Sequence, residues 1–202
     1  MVGLIEDVRR VVSPGFKKEG DVIALLGTTQ DDLSMSEYAV SIKGVTTSEI
    51  ATAGKVPELN MDRELAVQRA CLAAAEGDLL ASAHDCSDGG LAIALAESCF
   101  SSLGREAIGA DVNIEGVLGP TVQLFSESPS RIIISFDSAD AAAVQEIAER
   151  NNAPFAVLGQ VSGRRLTIAI NGSEAVAEDV AELEVVWRSA LSGKLQAEVV
   201  GV

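Results

Sequence analysis

The stretch Ala83-His84-Asp85-Cys86-Ser87-Asp88-Gly89-Gly90-Leu91-Ala92 constrains this chain more than any other. An apolar run, Leu79 to Ala83, leads into it, and a helical pattern, Leu91 to Cys99, leads out, so the stretch reads as a strand-to-helix turn. Such a turn leaves backbone N–H groups unpaired at the helix N-terminus, where the dipole also favours an anion. Gly89 and Gly90 lack a Cβ, so another backbone or a phosphate can approach closely. Asp85 falls where the strand would end, a common place for a carboxylate that holds Mg²⁺ between protein and phosphate. A structural reading fits the same residues: Asp88 as an N-cap bonding the N–H of Gly90 or Leu91, and the glycines serving only a tight turn. The stretch contains neither the Gly-x-Gly-x-x-Gly of a dinucleotide fold nor the Gly-Lys-Ser/Thr of a P-loop.

The chain carries a net charge of −15 over 202 residues, which disfavours nucleic acid and anionic lipid as partners. Phosphate binding in such a field needs a metal ion or local N–H donors. Aromatic residues are only 3%, so the core must come from Ala, Val, Ile and Leu. No run reaches membrane-spanning length and no signal-peptide pattern opens the chain, so a cytoplasmic location is expected. Cys71, Cys86 and Cys99 have no zinc spacing; Cys71 and Cys99 lie in helical patterns and read as small core residues.

In order, residues 1–20 read as the end of a preceding unit plus a linker, residues 21–193 as one domain, and residues 194–202 as a tail. Asp21 to Gly27 reads as a buried strand. Ser36 is a candidate cap for a short helix, and Lys43 to Val56 reads as loop. Asn60 opens a helix over Met61 to Glu76 that Gly77 ends. Ile108 to Ile114 alternates as a half-buried strand, Ile132 to Phe136 is an apolar strand, and Ser138 caps a helix to Arg150. Pro154 to Val161 and Arg165 to Ile170 are strands, Asn171-Gly172 is a turn, and the last helix runs from Glu178 to Ser192 with Gly193 as its stop. The expected fold is α/β or α+β: a mixed sheet of five to six strands with about four helices.

A second polar cluster, Ser126-Glu127-Ser128-Pro129-Ser130-Arg131, also lies between apolar runs. It suits a hydroxylated, phosphorylated small molecule, or else a solvated loop with a Pro129 turn. His84, the one histidine, reads as a hydrogen-bonded structural residue, because pattern alone identifies no orienting partner for a general base. Nothing in the sequence favours a Cys86 thiolate, and Glu97 reads as a solvated or capping charge.

Taken together, these residues carry a resemblance. His84-Asp85-Cys86-Ser87-Asp88-Gly89-Gly90-Leu91 with Leu95-Ala96-Glu97 resembles the His-Asp-x-Ser-Asp-Gly-Gly-Leu…Ala-Glu signature of the phosphoribosylformylglycinamidine synthase large-subunit family. Val2 to Asp7, Phe16-Lys17, Gly20-Asp21 and Leu26-Gly27 are similar to the segment leading into that subunit's last domain. Ser36-Glu37-Tyr38 fits the same frame, although Ser34-Met35 stand where a glycine pair is common. Phe125-Ser126-Glu127 with Ser130-Arg131, and Gly159-Gln160-Val161, fit later family strands.

The resemblance implies a C-terminal domain like that of aminoimidazole-ribonucleotide synthetase, working within a longer ATP- and Mg²⁺-dependent amidoligase of purine biosynthesis. It implies Asp85 as a metal ligand, and Ser87, Asp88, Gly89, Gly90, Ser126, Glu127 and Ser128 as nucleotide- or substrate-binding residues. No catalytic residue is expected here, since the family's catalytic histidine lies in another domain. The implied partners are the preceding domains, a glutaminase subunit, a small bridging subunit and a phosphorylated ribonucleotide. Hydrogenase-maturation, thiamine-phosphate kinase and selenophosphate synthetase relatives would carry a different central turn. The alternative is a non-catalytic structural or auxiliary-nucleotide domain of the same superfamily; as a packing module that holds its partner domain in place, it would use these residues as caps and turns only.

Overall fold

The computed structural model describes residues 4, 5, 7, 8, 11–102 and 104–200, with side chains described to residue 195. A seven-stranded mixed sheet forms its centre, in the order β2-β4-β1-β5-β3-β6-β7. The strands are β1 Val22–Leu26, β2 Ser82–Asp85, β3 Ala110–Ile114, β4 Ile132–Phe136, β5 Phe155–Val161, β6 Arg165–Ile170 and β7 Ser173–Asp179. Among the described strands only β3 and β6 pair in parallel; the other strand pairings are antiparallel. The pairings give β1, β2, β3 and β6 one direction, so their carboxyl ends open at the same end of the sheet.

The helices are α1 Glu37–Ser41, α2 Thr47–Ala53, α3 Met61–Glu76, α4 Gly90–Cys99, α5 Pro120–Phe125, α6 Ala141–Arg150 and α7 Val180–Val200. The apolar alternation of β1 splits the core in two. Ile23 and Leu25 point to a layer built around α4, while Ala24 and Leu26 point to a layer under α3 and α6. Helix α3 buries Ala66, Val67, Ala70 and Ala74, a stripe of small residues that seats the helix close to Ile134 and Phe136 of β4. Helix α4 is apolar nearly all round because the sheet, α5 and α7 surround it. On the far half of the sheet, Ala110, Val112 and Ile114 of β3 and Leu166, Ile168 and Ile170 of β6 face the α4 layer. Their alternating neighbours, such as Asp111 and Thr167, face outward.

Most elements lie where the sequence places them, including α3 with its Asn60 cap and Gly77 stop, and β4 to the residue. Sheet and helices are more numerous than expected. The polar run Ser173–Asp179 is a strand, because Asn171-Gly172 turns it back on β6 as the outer hairpin strand. The expected loop over Lys43 to Val56 contains α2, opened by a capping box in which Thr46 and Glu49 bond each other's backbone N–H. Asp137, not Ser138, caps the turn that enters α6. Helix α7 runs through Gly193 to Val200, so residues 194–200 are helical rather than a tail. The first ten residues lie partly outside the described residues. Residues 13–20, expected as linker, pack into the domain: Phe16 is fully buried and its N–H donates to Ser98 O at 2.7 Å, while Ser13 bridges to Ser82 at the β2 edge. No helix among the described residues is long and apolar enough to cross a membrane.

Candidate functional site

Both polar clusters lie at the sheet end where β1, β2, β3 and β6 finish. They touch each other, and they use their polar groups in opposite ways. In the turn after β2, successive side chains alternate across the sheet. His84 faces α4 and α7, whereas Asp85 emerges on the α3 side, its side chain 73% exposed. The Asp85 carboxylate lines a cleft of about 490 Å³ with Met61, Glu64 and Gln68 of α3 and Ser130 across from it. Ser87 Oγ donates to Asp85 Oδ2, and this bond is the main reason the Asp85 carboxyl stays below the usual carboxylate range. No Lys or Arg forms an ion pair with Asp85 among the described residues; the His84 ring approaches it, with Nδ1 at 3.7 Å.

His84 does have an orienting partner. Its Nε2 lies 3.0 Å from Glu97 Oε2, and Trp187 Nε1 donates to Glu97 Oε1 at 3.1 Å. The Glu97 bond raises the His84 pKa, and the same bond lowers that of Glu97. Glu97 is thus not a solvated charge: it ties the β2 turn to α4 and α7. The His84-x₁₂-Glu97 spacing brings the pair together because the chain reverses at the turn, so α4 runs back alongside β2. Trp187 carries no signal in the sequence that would connect it to this network. Cys86 is buried and its thiol is pushed up to about 11, so it is no nucleophile.

Asp88 makes no cap bond. The N-cap of α4 is Gly89, at φ +80°, with no side-chain cap of its own. The carboxylate that serves there comes from the second cluster: Glu127 Oε1 accepts from Gly89 N at 2.8 Å and from Glu37 N, the first residue of α1, at 2.8 Å. Gly90, at φ +70°, packs on the same segment. A Cβ there would sit 2.5 Å from Ser126 O, so the close approach this glycine allows is by backbone.

The rest of the Ser126 to Arg131 segment is occupied by bonds within the fold. Ser126 and Ser128 are fully buried; Ser126 Oγ accepts from Asp32 N at 3.3 Å and Ser128 Oγ accepts from Gln30 N at 2.9 Å. Arg131, 2% exposed, donates to Ser128 O at 2.9 Å, Ser126 O at 2.6 Å and Thr29 Oγ1 at 3.1 Å. The segment fastens the loop after β1 to the entry of β4. Of the expected site residues, the structure gathers Ser87, Gly89, Gly90 and Glu127 around the turn. It leaves Asp85 open to the cleft, Asp88 exposed, and Ser126 and Ser128 sealed beneath. Glu64 was not among the expected residues; Ser130, at φ +61°, donates to it at 2.6 Å, a contact across 66 residues that pattern reading has no means to find.

The fold has a counterpart among known domains. The family described as "AIR synthase related protein, C-terminal domain" matches residues 18–171. The chain belongs to this family. As an AIR synthase related C-terminal domain it is 41% identical over 191 residues to phosphoribosylformylglycinamidine synthase subunit PurL of Alkaliphilus metalliredigens, covering 95% of this chain and 24% of that protein. It is 40% identical over 205 residues to PurL of Anaeromyxobacter sp. (strain Fw109-5), covering 98% of this chain and 25% of that protein. The chain therefore spans about a quarter of the length of these relatives. Among solved structures, the domain superposes on T. maritima PurL complexed with FGAR, with a TM-score of 0.73 at 22% identity, covering 88% of this chain and 30% of that one. It superposes on T. maritima PurL complexed with ATP with a TM-score of 0.68 at 19% identity, covering 88% and 28%. At these identities the structural likeness establishes the fold.

Proposed function

We propose that this AIR synthase related C-terminal domain works within a phosphoribosylformylglycinamidine synthase large subunit, a ligase of purine biosynthesis. In that reaction the amide oxygen of formylglycinamide ribonucleotide takes the γ-phosphoryl group of ATP and ADP departs. Ammonia from a glutaminase then adds to the activated carbon and phosphate leaves, giving the amidine. The domain's part is to hold a phosphate-bearing ligand, not to supply a nucleophile: Cys86 is buried and His84 is engaged with Glu97. Preceding domains, a glutaminase subunit and a small bridging subunit complete the enzyme, in the cytoplasm.

The observation that carries the reading is the open Asp85 carboxylate at the carboxyl end of β2, facing the cleft beside α3. Mg²⁺ is typically bound through one or two carboxylates, with phosphate oxygens and waters filling its other positions. Asp85 fits that donor set, and the described residues hold no cluster of three or more metal-ligating side chains that would mark an all-protein cage. When bound, the ion offsets phosphate charge against a chain of net charge −15. Ser87, Asp88, Gly89 and Gly90 form the turn beside it. Ser126, Glu127 and Ser128 act on a ligand only through the loop and helix ends they hold in place.

Isothermal titration of Mg·ATP into the chain joined to its preceding domains tests this reading. Asp85→Asn is expected to weaken Mg²⁺-dependent binding by about tenfold or more, while Mg²⁺-free binding stays unchanged. Equal Mg²⁺-dependent affinity in the variant would favour the second reading, a structural or auxiliary-nucleotide domain. The self-satisfied bonding of Ser126, Ser128 and Arg131 supports that alternative.

A further inference from the structure

A second cavity, of about 610 Å³, opens outside the ends of β1, β3 and β5. None of its lining residues belongs to the Asp85 cleft. Its walls are mostly apolar: Leu25, Ile114, Leu118, Val157 and Leu158 among them. Several polar groups that reach it are already engaged. Thr29 Oγ1 accepts from Arg131, Thr28 Oγ1 accepts from Arg63, and Asn113 Oδ1 accepts from Gly172 N at 2.9 Å.

Gln123 of α5 is different. It is 4% exposed, it lines the cavity, and its side chain makes no hydrogen bond with any described residue. Its amide atoms are not sealed off from solvent; they are open to the cavity and available to a ligand there. The surroundings also hold this amide in place. Gly116 leaves room for it, since a Cβ at position 116 would lie 2.1 Å from Gln123 Nε2. The loop carrying Gly116 is pinned from both sides: Asn171 Nδ2 donates to Gly116 O at 2.9 Å, and Gly116 N donates to Asn171 Oδ1 at 3.1 Å. A fixed, unpaired donor–acceptor pair among apolar walls is the usual composition of a small-molecule site.

We propose that this cavity binds a neutral, planar, lactam-bearing heterocycle held edge-on by the Gln123 amide. A primary amide presents one donor and one acceptor side by side, and a cyclic N–H/C=O edge matches both at once. The remaining ring surface lies against the aliphatic walls. An anionic ligand does not suit the site: among the described residues no Lys or Arg lines it, Glu115 stands at its rim, and the chain is strongly acidic.

Titration of the 202-residue chain with 2-quinolinone, followed by protein NMR, is expected to shift the Gln123 side-chain amide and to saturate. N-methyl-2-quinolinone, which keeps the ring but lacks the lactam N–H, is expected to bind about tenfold more weakly or worse. Gln123→Met preserves approximate volume and is expected to weaken 2-quinolinone by a similar factor. Without ligand, the same variant is expected to be about as stable as the parent, because the amide makes no hydrogen bond within the described fold. Equal affinity for the two probes, full affinity in Gln123→Met, or absence of saturation at the solubility limit would overturn the proposal. So would destabilisation of unliganded Gln123→Met, which would mark the amide as a structural group.

Discussion

Two segments of this domain are built from the same kinds of polar and turn-forming residues and put them to opposite uses. Ala83 to Leu91, with one serine and two carboxylates, and Ser126 to Arg131, with three serines and one carboxylate, each set hydroxyl, carboxylate and turn-forming residues between apolar runs, and each lies beside the other at one end of the sheet. In the second, the Ser126 and Ser128 hydroxyls, the Glu127 carboxylate and the Arg131 guanidinium bond to the chain itself, and Ser126, Ser128 and Arg131 are buried. In the first, the Asp85 and Ser87 side chains bond to each other, with the His84 ring 3.7 Å from Asp85, and face a cleft. Polar residue type therefore does not separate a ligand site from a strap. Whether the fold has already supplied each group with a partner does.

The largest expected effect lies in the strap. Arg131→Met removes three hydrogen bonds and leaves the Ser126 and Ser128 carbonyls buried without donors. Urea unfolding is expected to show a loss of about 3–5 kcal/mol, a large share of the stability of a domain this size. A loss under about 1 kcal/mol would mean that the strap is not the rigid partner in the comparison.

Next comes the contact between the two segments. Gly90→Ala puts a Cβ into a φ of +70° and within 2.5 Å of Ser126 O, and is expected to cost about 2–3 kcal/mol in the same measurement. Gly104→Ala is the control for conformation alone: its φ is +80°, but open space surrounds the added carbon. It should cost clearly less, about 1 kcal/mol.

These residues also mark how far the sequence is legible. Strands β1, β3, β4, β5 and β6 and helix α3 announce themselves through apolar period, an Asn cap and a Gly stop, all local in the chain. Strand β7 does not, because its outward residues include Glu174 and Glu178, charges suited to an edge strand, and only its pairing with β6 makes it regular. Helix α2 did carry a local signal, the Thr46/Glu49 box, obscured by a Thr- and Ala-rich composition that reads as loop. In the candidate site, the residues of the two polar clusters were visible as residue types, whereas Glu64 and Trp187 were not. Nor were the clusters' pairings, since Glu127 reaches Gly89 across 38 residues and Arg131 reaches Thr29 across 102. Pairing at that separation is a property of the folded sheet, and no period or spacing encodes it.

A third effect belongs to the anchor of the open turn. The Glu97 bond raises the His84 pKa above its ordinary 6.5 and lowers that of Glu97 below 4.5. A raised folded-state pKa contributes stability that is present below the unfolded value and is lost as pH rises through the folded one. A depressed carboxylate contributes above its unfolded value and is lost as pH falls through the folded one. The pair is thus worth most between about pH 4.5 and 6.5, on the order of 1 kcal/mol for a half-buried pair. Comparing Glu97→Gln with the parent in urea at several pH values should show a difference that shrinks toward pH 9. A difference constant from pH 5 to 9 would show that the imidazole is neutral throughout and that Glu97 acts only through Trp187.

The smallest stability effect is expected where the function is proposed. Asp85→Asn keeps size and polarity at a side chain that is 73% exposed, and the Ser87 hydroxyl can still donate to the amide oxygen. Its cost in urea should stay within about 0.5 kcal/mol. The lowered Asp85 pKa gives the sign of what remains: the contribution exists above the ordinary carboxylate range and fades as pH falls, so the variant should match the parent most closely at acidic pH. A residue whose loss costs almost nothing, next to a strap whose loss costs several kcal/mol, would have no structural task that explains its carboxylate. If Asp85→Asn instead cost as much as Arg131→Met, the two segments would differ only in exposure, and the cleft beside α3 would lose its standing as a ligand site.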